Sequence, residues 1–262
     1  MKIKQKLYDG FDLYLDCLNN KKYFSFIKLN HFFWNFISGC ELEKCMFEKW
    51  QADDTAYAVV AKIKNKLPEN LFIGIGFGGC DKNVHENIGN IENLIKSILN
   101  SNIVWHNATT FKEAFLFGKY EKFINSIKKY KIKTIGLSHL EYFGYKNKIE
   151  NHSHINLEID SHIEKEIILE NIIKSHTENS VYLFQAGETL SSWFILNLHN
   201  KINKCFLIDV GRALDYQLPV TTSDRDEFLY KKNFGGNLKD YLEYSPWKNK
   251  SNWYRANHIK II

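Results

Sequence analysis

The pattern that most restricts the fold of this chain is a strand–helix–strand unit in its C-terminal half. Residues 181–184 and 205–210 are short runs of almost wholly apolar composition, and residues 190–198 between them have helical character. Continuous apolar strands that are joined through a helix indicate parallel neighbours buried on both faces. The unit therefore predicts an α/β fold with a mostly parallel sheet and a layer of helices on each side.

Other segments extend this sheet and its helical layers. Apolar runs predict further strands at residues 23–29, 71–77, 102–105 and 133–137. Apolar periodicity predicts helices at residues 31–37, 41–66, 88–99 and 163–174, and one that starts at residue 111. Residues 139–158 are rich in His, follow neither pattern and are predicted to be irregular. No repeat or linker divides the chain, so we expect one domain over residues 1–230 and a peripheral polar and aromatic extension over residues 231–262.

Composition excludes several classes of protein. The chain has 262 residues, of which 44% are hydrophobic and 25% are charged, and these values exclude a disordered or collagen-like chain. The net charge of +5 comes from scattered lysines, so the concentrated basic stripe of a nucleic-acid binder is not expected. Five cysteines without a Cys-x-x-Cys motif are expected to be reduced thiols.

The sequence also bears on location. The basic N-terminus lacks the apolar stretch of a secretory signal, and no apolar run is long enough for a transmembrane helix. These observations predict a cytoplasmic protein. They leave peripheral membrane association and the oligomeric state open.

Ligands of parallel sheets bind where the strands reach their carboxyl ends, and this rule selects four loops. Residues 77–81 contain glycines and Asp81 but lack the spacing of a dinucleotide fingerprint, which argues against an NAD site. Residues 105–110 open a helix with Asn107 and Thr109. These two side chains suit a phosphate, and they equally suit simple capping of the helix.

The remaining two loops belong to the strand–helix–strand unit. Residues 185–192 open a helix, where Gly187 allows close approach to the backbone and Thr189 supplies a hydroxyl. Asp209 lies at the tip of a buried strand, where an acid is costly unless it is hydrogen-bonded. Its carboxylate could hold a sugar hydroxyl, act as a base, or pair with Arg212.

Arginine is rare in this chain. Only three of its 35 basic residues are Arg, namely Arg212, Arg225 and Arg255. Where Lys is the default cation, an Arg is a candidate for binding phosphate through its planar, forked guanidinium. Among the three, Arg212 falls at the predicted edge of the sheet.

Two short motifs are weak candidates for a metal site. His152 and His154 form a His-x-His pair near His139, but no carboxylate or Cys lies at ligand spacing beside them, so a satisfied or solvated His pair is favoured. Residues 224–226 spell Asp-x-Asp, which can hold a divalent ion and a diphosphate but is too short to be specific.

Four segments, taken in order, resemble the motifs of the GT-D-type glycosyltransferases, a group also described as domain of unknown function DUF1792. The segments are Ser-Phe-Ile-Lys-Leu at residues 25–29, Trp-Gln at 50–51 followed by Asp53, Phe-Gln-Ala-Gly-Glu-Thr-Leu at 184–190, and Phe-Leu-Ile-Asp-Val-Gly-Arg at 206–212 followed by Asp-Tyr at 215–216. The resemblance covers residues 22–220 and is most specific in the last strand–helix–strand unit.

This resemblance implies a Rossmann-like, three-layer GT-D-type fold and transfer of a sugar from a nucleotide sugar. A UDP-sugar is the expected donor, and a glycan or glycoconjugate is the expected acceptor. The family's Asp-x-Glu signature is associated with a divalent cation such as Mn²⁺, but residues 31–33 of this chain read His-Phe-Phe where it should stand. Lys28 replaces a family Arg, and Arg212 replaces a family His. We therefore expect that no cofactor is required, with a divalent cation such as Mn²⁺ as the alternative, and that in its absence Lys or Arg neutralises the leaving diphosphate.

On this interpretation Asp209 and Asp81 are the candidate catalytic residues. The candidate donor-binding residues follow the predicted carboxyl edge of the sheet and are Lys28, Asn30, His31, Asn107, Thr109, Gly187, Glu188, Thr189, Gly211 and Arg212. The lost Asp-x-Glu signature leaves open a non-catalytic binding or partner subunit of the same fold. Another Rossmann-like enzyme that uses a nucleotide or S-adenosylmethionine is the remaining alternative.

Overall fold

One parallel sheet organises the part of the chain that the computed structural model describes, which comprises residues 10–29, 33, 53–64, 67–68, 70–76, 105–116, 118–157 and 164–217. Within these residues the strands are β1 (Ser25–Leu29), β2 (Leu71–Ile75), β3 (Trp105–Asn107), β4 (Lys131–Gly136), β5 (His152–Asn156), β6 (Ser180–Gln185) and β7 (Cys205–Asp209). The α-helices are α1 (Phe11–Asn19), α2 (Asp53–Ile63), α3 (Thr110–Leu116), α4 (Tyr120–Ile127), α5 (Phe143–Lys146), α6 (Lys165–Lys174) and α7 (Glu188–Leu198). Two 3₁₀-helices, Ser138–Tyr142 and Gly211–Gln217, follow β4 and β7.

The strand order is β3-β2-β1-β7-β6-β4-β5, and every neighbouring pair is parallel. The first and the last of the described strands are therefore neighbours at the centre of the sheet. In register, Ser25 and Phe26 of β1 lie beside Leu207 and Ile208 of β7. Because all strands run the same way, the seven carboxyl ends meet at a single edge of the sheet.

Helices cover both faces of the sheet, as the apolar strands predict. On one face Ile27 and Leu29 of β1 join a cluster with residues of α2, α6 and α7. On the other face Phe24 and Phe26 join an aromatic cluster with residues of α1, α3, α4 and α5. Alternate residues of one short strand thus serve two cores, which is the side-chain pattern of a strand buried on both sides. The expected three-layer α/β architecture is confirmed.

At the centre of the sheet, the chain segments that follow β1 and β7 pack on opposite faces. The next described helix after β1 is α2, which packs in the first cluster, whereas the 3₁₀-helix after β7 packs Ala213 and Leu214 in the aromatic cluster. Chain segments that follow adjacent strands toward opposite faces leave a crevice at the carboxyl ends of those strands, which is where open α/β sheets bind ligands. The fold therefore places the candidate site between the ends of β1 and β7.

The structure corrects three predictions at the element level. Residues 139–158 are not irregular, since they include α5 and the edge strand β5. The alternation that signals a strand is hidden there because β5 is built from His, Ser and Asn and is only partly buried. The short strand predicted to end at residue 105 extends to Asn107 in β3, and the helix from residue 111 divides into α3 and α4 around Gly118. Helix α1 was not predicted.

Some predictions fall on residues outside the described part of the chain. These are the helices at 31–37, apart from Phe33, and at 88–99, residues 41–52 of the helix at 41–66, the loop at 77–81, the Asp-x-Asp motif and the extension at 231–262. Among the described residues, none of the helices combines the length and apolar character needed to cross a membrane.

Candidate functional site

Lys28 and Asp209 form a buried ion pair at the centre of the carboxyl edge. Lys28 is the fourth residue of β1 and Asp209 is the last residue of β7. The Lys28 Nζ lies 3.5 Å from Asp209 Oδ1, and the two side chains are 10% and 1% exposed. Charged groups are rarely buried this deeply unless they are paired. The pair therefore marks a place where the fold holds charge despite the cost of removing it from water.

The two oxygens of Asp209 have different surroundings. Oδ1 faces Lys28 and also accepts a hydrogen bond of 2.9 Å from the Gly211 N–H. Oδ2 is buried and has no hydrogen-bond partner among the described residues. A buried acceptor without a donor costs free energy, about 1–3 kcal/mol. Oδ2 is therefore an acceptor that a ligand hydroxyl could satisfy.

Burial raises the pKa of Asp209 to about 6, while the Lys28 ammonium, the Gly211 N–H and the Lys28 backbone N–H act in the opposite direction. The carboxyl consequently exchanges its proton close to neutral pH. A general base works best when its pKa is near the working pH, because it is then both deprotonated and basic enough to take a proton. This electrostatic environment suits a proton acceptor.

Gly211 completes this site through its backbone. Its φ of +50° lies in the left-handed region, and an added Cβ would stand 1.9 Å from the Lys28 Nζ. The ammonium thus occupies the space that any side chain at position 211 would need. We call Lys28, Asp209 and Gly211 together the β1–β7 site.

Helix α7 is anchored beside this site. The Ser192 hydroxyl donates a 3.0 Å hydrogen bond to the Lys28 carbonyl oxygen, which ties the first turns of α7 to β1. Gly187 precedes the helix with φ +76° and ψ 160°, a conformation essentially restricted to glycine. Thr189 is buried in the first turn. Three of the predicted donor-binding positions, Gly187 to Thr189, therefore lie at the start of α7, on the same edge as Lys28.

Asn107 and Thr109 lie farther along the edge, after β3. The Asn107 amide donates to Glu113 Oε2 at 3.0 Å, and its Oδ1 accepts from the Thr109 N–H at 2.9 Å. The Thr109 hydroxyl is 2.7 Å from both Asn107 Oδ1 and Glu113 Oε1. These contacts join the end of β3 to the first turn of α3 and satisfy the Asn107 and Thr109 side chains within the chain. Donor binding by Asn107 and Thr109 remains a prediction.

The other predicted site residues are placed unevenly. Arg212 follows Gly211 in the 3₁₀-helix and is exposed. The cation that pairs with Asp209 is Lys28, whereas one interpretation of the sequence paired Asp209 with Arg212. Asn30, His31 and Asp81 lie outside the described residues.

Two features of the edge were not singled out from the sequence. Ser192 was part of a candidate loop, but its bond to Lys28 depends on a contact between segments far apart in the chain. His139 is buried at the carboxyl end of β4, where its Nε2 lies 3.2 Å from the Gln185 Nε2 at the end of β6. No sequence signal reports which strands become neighbours, so neither contact was predictable from spacing.

The His-x-His pair of β5 flanks the buried hydroxyl of Thr134. That hydroxyl is 2.9 Å from His152 Nε2 and 3.0 Å from His154 Nδ1. Burial lowers the pKa of His152 to about 4, so this imidazole is neutral at physiological pH. Within the described ranges, no three His, Cys, Asp or Glu side chains are arranged to hold a metal ion.

Solved structures of DUF1792 proteins match the chain. A DUF1792 glycosyltransferase from Streptococcus sanguinis matches over 80% of this chain and 83% of its own, with 12% identity and a TM-score of 0.59. A selenomethionine-substituted domain of unknown function 1792 matches with 12% identity and a TM-score of 0.59, over 80% of this chain and 79% of its own. A third structure, described as a distinct glycosyltransferase fold, matches over the same shares with 11% identity and a TM-score of 0.58. The chain has the DUF1792 fold. No protein-family model matches the sequence, and no curated protein matches it.

The structure describes one position of the expected metal motif, residue 33. Phe33 stands where the resemblance places the Glu of Asp-x-Glu, and its ring is wholly buried in the apolar cluster of α2, α6 and α7. A phenyl ring offers no oxygen to a hard divalent cation. The residue at this position therefore does not fit a metal ligand.

Proposed function

We propose that this chain is a glycosyltransferase that moves a sugar from a nucleotide sugar, with a UDP-sugar as the donor, to a glycan or glycoconjugate acceptor. The observation that carries the proposal is the buried Lys28–Asp209 pair at the centre of the carboxyl edge. The DUF1792 fold, whose solved representatives are called glycosyltransferases, supports the same reaction class.

The pair provides the two charges that glycosyl transfer requires. The acceptor hydroxyl oxygen forms a bond to C1 of the donor sugar, and the bond from C1 to the diphosphate oxygen breaks. The electron pair of that bond leaves with the nucleoside diphosphate, and the hydroxyl proton must go to a base. We assign the base to Asp209, whose buried Oδ2 lacks a hydrogen-bond donor among the described residues.

Other groups at the edge would orient the donor. The backbone at Gly187, which has a positive φ and no side chain, allows close approach of the donor. The first amides of α7 point toward the same edge and favour negative charge. In this proposal the exposed Arg212 binds the diphosphate from the solvent side.

The described cysteines support a reducing compartment. Cys17 and Cys205 are free and buried, and burial raises the pKa of the Cys205 thiol to about 12. Such thiols are inert packing groups of the kind common in cytosolic proteins. We accordingly propose that the reaction takes place in the cytoplasm.

The test is transfer activity with a panel of nucleotide sugars, measured as release of nucleoside diphosphate with and without acceptor glycans. We expect turnover with a UDP-sugar, and we expect kcat/KM to rise with pH through about 6, because Asp209 accepts a proton only after it has ionised. The Asp209→Asn variant should lose about 10²- to 10⁴-fold in kcat and also lose this pH dependence. Binding of a UDP-sugar without turnover would instead identify a non-catalytic subunit, and an unchanged Asp209→Asn variant would remove Asp209 from the chemistry.

A further inference from the structure

The β1–β7 site is chemically unsuited to a divalent cation. Mg²⁺ and Mn²⁺ bind through several oxygen ligands, typically carboxylates. Among the described residues of this site, Asp209 supplies the one carboxylate. Its Oδ1 already lies 3.5 Å from the Lys28 ammonium. A dication on the other oxygen would stand only a few ångströms from that ammonium and would be repelled by it. The position expected to supply a second carboxylate is the buried Phe33.

Lys28 is held where such a cation would otherwise be needed. Its side chain is 10% exposed, so the ammonium is largely screened from water but still reaches the edge of the sheet. Asp209 Oδ1 is its one acidic contact among the described residues, and an ammonium has three N–H donors. The ammonium also lies against the bare Cα of Gly211. A fixed, poorly hydrated positive charge is well suited to a phosphate oxygen.

We propose that this chain holds the diphosphate of its donor without a divalent cation, and that the Lys28 ammonium supplies the positive charge in its place. The inference rests on the proposed function, because it concerns the donor of the same reaction. It goes beyond that function by assigning to one residue the task that the family signature gives to a metal.

The pairing with Asp209 couples the two charges of the reaction. Before transfer, the carboxylate balances the Lys28 ammonium. When Asp209 Oδ2 takes the proton of the acceptor hydroxyl, the carboxyl becomes neutral. The Lys28 charge is then uncompensated at the moment when the diphosphate receives the electron pair of the broken C1–O bond. The positive charge is thus strongest toward the leaving group when that group is most negative.

Equilibrium binding of nucleoside diphosphates tests the proposal without requiring turnover. The titrants are UDP, GDP, ADP and dTDP, each added to the full chain in the calorimeter, in EDTA and then in Mn²⁺. We expect UDP to bind with the same Kd in both solutions. Lys28→Met should weaken binding about 10- to 100-fold, the loss expected for a hydrogen bond to a charged group.

Matched variants distinguish a loss of UDP binding from a failure to fold. Lys28→Met leaves Asp209 buried without its cation, so the double variant Lys28→Met with Asp209→Asn removes both charges and should fold even if the single variant does not. Lys133→Met is the control, because Lys133 is half-buried in β4 and its ammonium donates to the Ser175 carbonyl oxygen, away from the carboxyl edge. We expect the control to bind UDP as the wild type does, and the double variant to bind it as weakly as Lys28→Met.

Two results would overturn the proposal while leaving a nucleotide-sugar enzyme in place. One is UDP binding that needs Mn²⁺, and the other is binding that is unchanged in a folded Lys28→Met or double variant. If the wild-type chain bound none of the four nucleoside diphosphates in either solution, the proposed function would fail together with this inference. The experiment therefore separates the two failures.

Discussion

Gly211 is the residue whose identity the β1–β7 site most strictly requires. Two separate effects act at its Cα: a φ of +50°, and the Lys28 Nζ at 1.9 Å from the position of an added Cβ. The first strains any other residue, and the second makes the Lys28 ammonium shift, which costs little because Nζ is the free end of a flexible side chain.

We therefore expect Gly211→Ala to lower the free energy of unfolding by about 1–3 kcal/mol, mostly through backbone strain, and to weaken UDP binding, because the Lys28 ammonium is displaced. Gly118→Ala is the matched control, since Gly118 has φ +79° and no atom within 4 Å of an added Cβ. That variant should show only the backbone strain, about 1–2 kcal/mol. Urea denaturation of both variants measures the difference, and equal losses would mean that the steric conflict with Lys28 has no energetic weight.

The site residues were predictable to different degrees. Asp209 could be identified because an acid that ends a buried apolar run is conspicuous, and the rule that ligands bind at carboxyl ends then gives its location. Its partner could not be identified, because Lys28 and Arg212 are both plausible cations until the strand order is known. The structure selects Lys28 because β1 and β7 are neighbours in the sheet. Chain spacing contains no information on that neighbourhood.

Among the strands, those that are fully buried were easier to predict from the sequence than the partly buried one. Every residue of β1, β6 and β7 is buried, so each of these strands appears in the sequence as a mostly apolar run. Strand β5 lies at the end of the strand order and carries polar residues, and it was missed for that reason. Helix α1 does not follow this rule, since it was not predicted although Phe11, Tyr14 and Leu18 are buried at helical spacing.

Helix α3 allows a direct choice between capping and donor binding. Asn107 bridges the Thr109 N–H and the Glu113 carboxylate, so its removal takes away contacts that begin the helix. We expect Asn107→Ala to lower the free energy of unfolding by about 0.5–2 kcal/mol, the usual cost of a lost cap, with KM for the donor unchanged. Asn20→Ala, at an exposed site after α1, is the control for a general effect of removing an amide. A raised KM in Asn107→Ala alone would place the donor against this loop.

The amino and carboxyl edges of the sheet differ in how their buried polar side chains are hydrogen-bonded. At the amino ends of the strands, side chains close the edge among themselves: His199 Nδ1 lies 2.7 Å from the Ser25 hydroxyl, and His176 Nδ1 lies 2.8 Å from the Tyr182 hydroxyl. At the carboxyl ends, Asp209 Oδ2 is left without a donor among the described residues. In this sheet the buried carboxylate oxygen that lacks a hydrogen-bond donor thus lies at the carboxyl edge.

This asymmetry predicts where a ligand changes the local stability of the chain. Amides that open by local fluctuation exchange their hydrogens with solvent, and a ligand that contacts them suppresses the opening. We expect UDP to slow hydrogen exchange at residues 29, 186–188 and 210–212 and to leave residues 24–25, 179–180 and 204–205 unchanged. Exchange measured by mass spectrometry on peptides from both edges, with adenosine as a nucleoside that lacks phosphates for comparison, resolves the two groups. Protection that spread equally over both edges would indicate a general gain in stability rather than a ligand at the β1–β7 site, and protection confined to the amino edge would place the ligand on the opposite side of the sheet.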